Sequence, residues 1–193
     1  MSKGLSRREL FSFWRKPPPS RDPPPPRRAQ PRLRPPGALD EASFLDTCER
    51  CGKCIEVCPR QALGPVAAGV GAGTPFLVPR QAPCVVCTGL QCTHACPTGA
   101  LTPLVDPLTI RMGTAVIATD RCLAYLGQPC AACVDICPIP GAIAAVPWSG
   151  SDGKGGGNGK VPLVSIDRCV GCGLCENFCP PEPAAIVIRP APR

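Results

Sequence analysis

Short apolar stretches alternate with polar, cysteine-bearing loops along most of the chain. Stretches that precede the later cysteine groups predict strands at 76–78, 115–119 and 163–166. A second set of short apolar stretches follows the groups, at 61–63, 99–101, 141–146 and 184–188. The pattern predicts a repeated unit of strand, cysteine loop, short helix and strand.

The repeat divides the chain into segments of different character. We expect a basic, Pro/Arg-rich disordered tail at 1–37 and a repeat region at 38–193. The repeats are placed at 44–64, 80–103, 118–146 and 165–188. A Gly-rich polar linker at 149–160 predicts a surface connection whose flanking strands pair as a long hairpin. No uninterrupted apolar run reaches the eighteen or so residues of a membrane span, so a soluble or peripheral protein is expected.

Composition shows that hydrophobic burial alone would leave the fold marginal. Aromatic residues are 4% of the chain, and much of the 44% hydrophobic content is alanine and cysteine. The chain has sixteen cysteines among its 193 residues. Disulfides, structural zinc and iron–sulfur clusters could each supply the missing stability, and each predicts a different cysteine spacing.

The net charge of +7 is concentrated at the N-terminus. Residues 1–37 contain ten Lys and Arg against two acids, whereas the remainder contains eleven against twelve. A nucleic-acid-binding domain needs a basic face with stacking aromatics on its folded part. The sequence therefore predicts no nucleic-acid partner.

The sixteen cysteines fall into four groups, and each group ends in Cys-Pro. Groups one and four share the spacing Cys-x2-Cys-x2-Cys-x3-Cys-Pro, and they are Cys48, Cys51, Cys54, Cys58 and Cys169, Cys172, Cys175, Cys179. Groups two and three carry inserted loops, and they are Cys84, Cys87, Cys92, Cys96 and Cys122, Cys130, Cys133, Cys137. In bacterial ferredoxins three cysteines of this run bind one [4Fe-4S] cluster and the last binds its neighbour. The spacing predicts four [4Fe-4S] clusters with all sixteen cysteines as iron ligands.

Other uses of the cysteines fit the spacing less well. Zinc ligands usually come as two separated pairs, whereas each run here is compact. Cysteines three residues apart on tight loops are poorly placed for disulfide geometry. The lone histidine, His94, excludes a Rieske centre, which needs two, and is interpreted as a surface residue that tunes a cluster or has no role. We expect an electron carrier with no catalytic residues, because neither a Cys/His nucleophile pair away from the clusters nor a phosphate loop is found.

Phrases around the cysteines resemble the MauM/NapG polyferredoxins over roughly residue 32 to the C-terminus. They are Arg34-Pro35-Pro36-Gly37-Ala38-Leu39, Ala72-Gly73-Thr74-Pro75-Phe76, Arg111-Met112-Gly113-Thr114-Ala115-Val116, and Cys122-Leu123 followed by Gly127-Gln128-Pro129-Cys130. The resemblance implies electron transfer from a membrane quinol dehydrogenase towards a respiratory reductase or dehydrogenase system. Its redox partners would be that dehydrogenase and a cytochrome or molybdenum enzyme. The expected fold is α+β, with two bacterial 2[4Fe-4S] ferredoxin-like modules.

The N-terminal segment points in a different direction. The pair Arg7-Arg8 resembles a twin-arginine export signal, but Trp14-Arg15-Lys16-Pro17 follows where an apolar h-region is needed. A cytoplasmic location is therefore expected, with the periplasm as the alternative. This start also resembles NapF, which implies an alternative function as a cluster-bearing accessory factor for maturation of a nitrate reductase. The tail is a further candidate for peripheral membrane association.

The groups can share their fourth ligands in two ways. By analogy with four-cluster subunits of molybdenum oxidoreductases, we expect nested pairing, in which group one pairs with group four and group two with group three. In nested pairing, Cys179 is the fourth ligand for the first three cysteines of group one, and Cys58 is the fourth ligand for those of group four. Cys137 likewise serves group two, and Cys96 serves group three. Sequential pairing of one with two and three with four is the alternative.

Overall fold

A computed structural model describes residues 32–148 and 159–191. Residues 1–31 lie outside the described residues, and so do the predictions on export and membrane association that concern Arg7-Arg8 and the tail. Residues 149–158 of the linker also lie outside. The fold reaches back beyond the boundary expected at residue 38, because Leu33 forms a bridge with Leu77 and Arg34 is only 2% exposed. No helix among the described residues is long and apolar enough to cross a membrane.

The first module, residues 32–111, contains three short helices and one small hairpin. The helices are α1 (Glu41–Thr47), α2 (Lys53–Glu56) and α3 (Gln91–His94). Strands β1 (Leu63–Pro65) and β2 (Pro75–Leu77) pair antiparallel. A single bridge between Ala38 and Leu101 joins the two ends of the module, and a 3-10 turn (Pro107–Thr109) leads out of it.

The second module, residues 112–191, repeats this plan with longer strands. Its elements are β3 (Gly113–Ile117), α4 (Ala132–Asp135), β4 (Ile143–Pro147), β5 (Lys160–Val164), α5 (Leu174–Asn177) and β6 (Ile186–Pro190). Strands β3 and β6 pair antiparallel and close the module, and β4 pairs with β5. The predicted order of strand, cysteine loop, short helix and strand is confirmed here.

The three strands predicted before the later cysteine groups lie close to their expected positions but begin and end earlier. The predicted stretches 76–78, 115–119 and 163–166 correspond to β2, β3 and β5, which end at Leu77, Ile117 and Val164. The residues before each cysteine group turn instead, as when Cys122 N donates to Ala118 O. The hairpin expected around the linker is confirmed, with register from Ile143↔Val164 to Pro147↔Lys160, so Lys160 belongs to a strand.

The apolar core is small and is shared by both modules. One buried cluster is centred on Phe44, Leu90 and Leu101 and extends to Ile139 and Val170 of the second module. The other lies in the second module and consists largely of small residues, which are Ala115, Ala124, Ala184, Ala185 and four cysteines beside Ile143, Val161 and Ile186. Small side chains bury little apolar area, so the core supports the expectation that another interaction stabilises the fold.

Arg34 joins the start of the fold to the first module. Its guanidinium donates to both carboxylate oxygens of Glu41, at 2.9 and 2.5 Å, and to Thr74 Oγ1 and Pro75 O at 2.9 Å. The same group lies 4.7 Å from the centroid of the Phe44 ring. A buried arginine with all these partners is part of the core, so a truncation of the N-terminus that removes Arg34 is expected to destabilise the fold.

Candidate metal centres

Four small cavities in the described part of the chain are each lined by four cysteines. In every cavity three cysteines come from one group and the fourth is the last cysteine of another group. We number the sites I to IV by the group that gives three. Site I is Cys48, Cys51, Cys54 and Cys96; site II is Cys84, Cys87, Cys92 and Cys58; site III is Cys122, Cys130, Cys133 and Cys179; site IV is Cys169, Cys172, Cys175 and Cys137.

The expected nested pairing is wrong, and the groups pair sequentially. Cys96, which nested pairing assigned to group three, lines the cavity of Cys54 and raises the pKa of that thiol after the larger effects of burial and of Cys48. In the second module Cys179 lies by group three, where it contributes to the raised pKa of Cys133, itself due mainly to burial. The reason is local folding: hairpins β1–β2 and β4–β5 return the chain at once, so that α2 packs on α3 and α4 on α5.

Close backbone approach brings group four against the strand that begins the second module. Gly171 has a φ of 75°, and a Cβ at this position would overlap the backbone of Gly113. The neighbouring Met112 N donates to Val170 O at 3.2 Å. Only glycine combines this conformation with such close contact, which explains a glycine between the first two cysteines of the group.

Backbone amides point at several of the cysteine sulfurs. Ala62 N lies 3.3 Å from Cys58 Sγ, Ala115 N lies 3.4 Å from Cys169 Sγ, and Ala185 N lies 3.2 Å from Cys179 Sγ. Hydrogen bonds to ligand sulfurs stabilise negative charge and are a main control of cluster potential. The sequence did not predict these donors, since a backbone amide has no side-chain signature.

Burial disfavours the thiolate form of several cysteines. Loss of solvent, the largest cause, raises the pKa of Cys84, Cys92 and Cys133 to about 12, and neighbouring cysteines add to the effect. Burial acts on the Cys96 thiol in the same direction, but hydrogen bonds, first of all from the backbone at Leu101, outweigh it and lower the pKa. Ligation of a metal therefore has to displace protons from the Cys84, Cys92 and Cys133 thiols.

The donor sets fit a polynuclear iron–sulfur centre. Four soft thiolates around one cavity are the ligand set of a [4Fe-4S] cluster, whose irons stand apart at the corners of a cube. Within 32–148 and 159–191, no three His, Cys, Asp or Glu side chains converge closely enough to hold a single metal ion. His94 takes no part in these cavities: its Nε2 lies 3.1 Å from Leu104 O, so the ring contacts the loop that follows group two.

Contacts between the sites arrange them in a row that differs from their order in the chain. Sites I and II exchange their fourth cysteines, and so do sites III and IV. The two pairs meet where Cys84 N donates to Cys172 O at 2.9 Å. The sites therefore follow one another as I, II, IV, III. Site I, at one end, includes the exposed Cys51, whereas the three group-four cysteines of site IV are all buried.

Comparison with known proteins agrees with this division into two modules. A model of the Fer4_7 family, a 4Fe-4S dicluster domain, matches residues 47–100 and 128–182. Each match spans two consecutive cysteine groups, or nearly so, as sequential pairing requires. The matches indicate 4Fe-4S clusters in a small, loop-rich fold with few helices and strands.

Relatives with assigned names are similar over most of the chain. The methylamine utilization ferredoxin-type protein MauM of Methylobacillus flagellatus is 43% identical over 163 residues, which cover 82% of this chain and 68% of that protein. The ferredoxin-type protein NapG of Escherichia coli is 37% identical, with coverage of 82% and 71%. The ferredoxin-type protein NapF of Escherichia coli is 31% identical, with coverage of 80% and 84%. The predicted membership is confirmed, and the chain belongs to the MauM/NapG family of ferredoxin-type iron–sulfur proteins.

Proposed function

We propose that the chain carries four [4Fe-4S] clusters, one at each of sites I to IV, and acts as an electron carrier with no bond-making chemistry of its own. All sixteen cysteines serve as iron ligands, in four ferredoxin-type repeats that form two dicluster modules. The observation that carries the proposal is the crossed arrangement of four cysteines around each of four cavities. Bound clusters would supply one-electron redox chemistry at these sites.

The protein's own residues prepare the sites for this role. The cysteine thiolates would hold each cluster in position. Backbone amides such as Ala62 N and Ala185 N donate to cysteine sulfurs and stabilise negative charge on them. Burial of the three group-four cysteines shields site IV, in the middle of the row, from water. Exposed Cys51 makes site I the end that is most open to an external redox partner.

The proposed partners are those that the family resemblance implies. We propose that electrons arrive from a membrane quinol dehydrogenase and leave towards a respiratory reductase or dehydrogenase system. Support comes from the name of one relative, MauM, which is a methylamine utilization ferredoxin-type protein. A role as an accessory factor in maturation of a nitrate reductase is the second candidate, and the NapF match over 84% of that protein's length favours it.

Stepwise anaerobic reduction tests the proposed carrier. We expect the loaded chain to take up about four electrons, one for each cluster, and to return them to an oxidised acceptor protein without loss of iron. Failure to accept electrons reversibly, with all clusters present, would contradict a carrier function.

Deletion of residues 1–30 serves as the control that separates the two candidates. The deletion ends before Leu33 and Arg34, which belong to the fold, and matches the boundary at which the described unit begins. A carrier should keep its electron uptake and its exchange with redox partners after this deletion. An accessory factor that docks through its basic tail should instead lose partner binding, measured by co-purification with the apoenzyme.

A further inference from the structure

The two modules meet along the short segment that leads into group two. Residues 79–84 of this segment lie against group four. Cys84 N donates to Cys172 O at 2.9 Å, which brings the first ligand of site II against a ligand of site IV. Pro79 is buried against Gly173, where any Cβ would overlap its ring. The junction is therefore a direct contact between two cysteine-bearing backbones.

The side chain of Arg80, in the first module, binds the second module at this junction. The two hydrogens of its Nη1 are shared among three carbonyls that end or follow α5, those of Glu176, Asn177 and Cys179, at 2.8, 3.0 and 2.8 Å. Its Nη2 donates to Pro181 O at 3.4 Å and forms an ion pair with Glu182. The last carbonyls of a helix have no partner within the helix, so one guanidinium here satisfies several of them at once.

A side chain of the second module also binds the backbone of the first module. Asn177 Nδ2 donates to Pro79 O at 3.1 Å and to Arg80 O at 3.0 Å. The arginine side chain of one module thus binds the backbone of the other, and the asparagine side chain does the reverse. The Arg80 side chain is 30% exposed, and most of the hydrogen-bond partners of its guanidinium are carbonyls.

We propose that Arg80 is a positioning residue for electron exchange between the modules. It fixes Cys84 of site II against Cys172 of site IV, and it holds the Cys179 carbonyl in the loop that supplies the fourth ligand of site III. This inference rests on the proposed function. When an electron crosses the junction, the site that it leaves is oxidised and the site that it reaches in the other module is reduced. The transfer therefore needs no further reactant.

The test uses the full, cluster-loaded chain with Arg80→Ala and Arg80→Lys. Arg189→Ala is the matched control, because Arg189 is an exposed arginine on β6 whose side chain makes no hydrogen bond or ion pair in the described part of the chain. Amide hydrogen exchange at Cys84 should become at least about ten-fold faster in R80A, since several charge-assisted bonds are lost. Exchange in the β3–β6 pair should stay at its wild-type rate. R80K keeps the charge but not the planar fork, so it should give an intermediate value.

Low-temperature EPR supplies the second readout. In the fully reduced chain, R80A should lose part of the spin–spin broadening that arises between the modules, with iron and sulfide content unchanged. A residue that merely stabilises the fold would instead speed exchange throughout the chain or lower the iron content. Should R80A fail to load, Asn177→Ala removes two of the bonds and should give the same pattern with a smaller change.

The outcomes separate this inference from the proposed function. If wild type binds four clusters and the Arg80 variants match it in both exchange at Cys84 and spin–spin broadening, the positioning role is overturned while the carrier stands. Loss of exchange protection that is uniform along the chain also overturns it. If wild type binds no clusters, it is the proposed function that fails.

Discussion

Removing iron is expected to unfold the chain. Under anaerobic conditions, chelation should abolish cooperative unfolding by urea and should remove all slowly exchanging amides, including those of β3–β6. The physical reason is that the apolar core of the second module consists largely of alanine and cysteine side chains. Burial of such small side chains cannot offset the conformational entropy that is lost when the loops become ordered. Circular dichroism and hydrogen exchange before and after chelation measure the effect.

Reconstitution is the control for this experiment. Iron and sulfide added back anaerobically should restore the protected amides, because ligation free energy is also folding free energy in such small domains. Retention of the native β3–β6 exchange pattern in iron-free protein would show that the core suffices, and would contradict this explanation of stability.

Substitution of the last cysteine of a group is expected to damage the site of its neighbour. Cys96→Ala should remove about one cluster, or four iron atoms, and the loss should be at site I even though Cys96 belongs to group two. Amide exchange should rise around Cys51 and Cys54 and stay slow around Cys87 and Cys92. Iron analysis combined with residue-resolved exchange measures both parts.

The matched variant is Cys58→Ala, for which the damaged site and the intact site are reversed. It should empty site II and spare site I, because Cys58 lines the cavity of group two. Nested pairing makes a different prediction, since C96A would then damage site III in the second module. Loss of protection around Cys122 and Cys133 with site I intact would therefore reject the sequential arrangement.

Local features of the site could be predicted from the sequence, because they depend on spacing alone. Two-residue gaps require a tight loop, so the first three cysteines of groups one and four face one point whatever the rest of the chain does. The strands β2, β3 and β5 were likewise found close to their apolar stretches. Their ends differed, because the turn into each cysteine loop consumes the last residues of the stretch.

Non-local features were out of reach of the same reasoning. The fourth ligand of a site depends on which group faces it, and this is decided by hairpins as short as β1–β2 rather than by the spacing of cysteines. Analogy with nested four-cluster subunits led to the wrong pairing. Sequential repeats joined by short hairpins favour contact between neighbours, so that signal was present in the connection lengths.

The arginines show a second reason for the difference. Arg34 stands in a Pro/Arg-rich stretch whose composition predicts a solvated tail, yet its side chain is buried against Glu41 and Phe44. Arg80 has no motif around it, and its partners are carbonyls about a hundred residues further along the chain. Composition gives the average behaviour of a segment, whereas a buried ionic contact depends on one side chain and its distant partners.

Anaerobic iron and acid-labile sulfide analysis, with low-temperature EPR of the reduced chain, tests the central claim most directly. Four clusters at sites I to IV predict about sixteen iron and sixteen sulfide per chain, with spectra of interacting [4Fe-4S] centres. Zinc in place of iron, or about eight iron with half of the sites unfilled after full reconstitution, would contradict it.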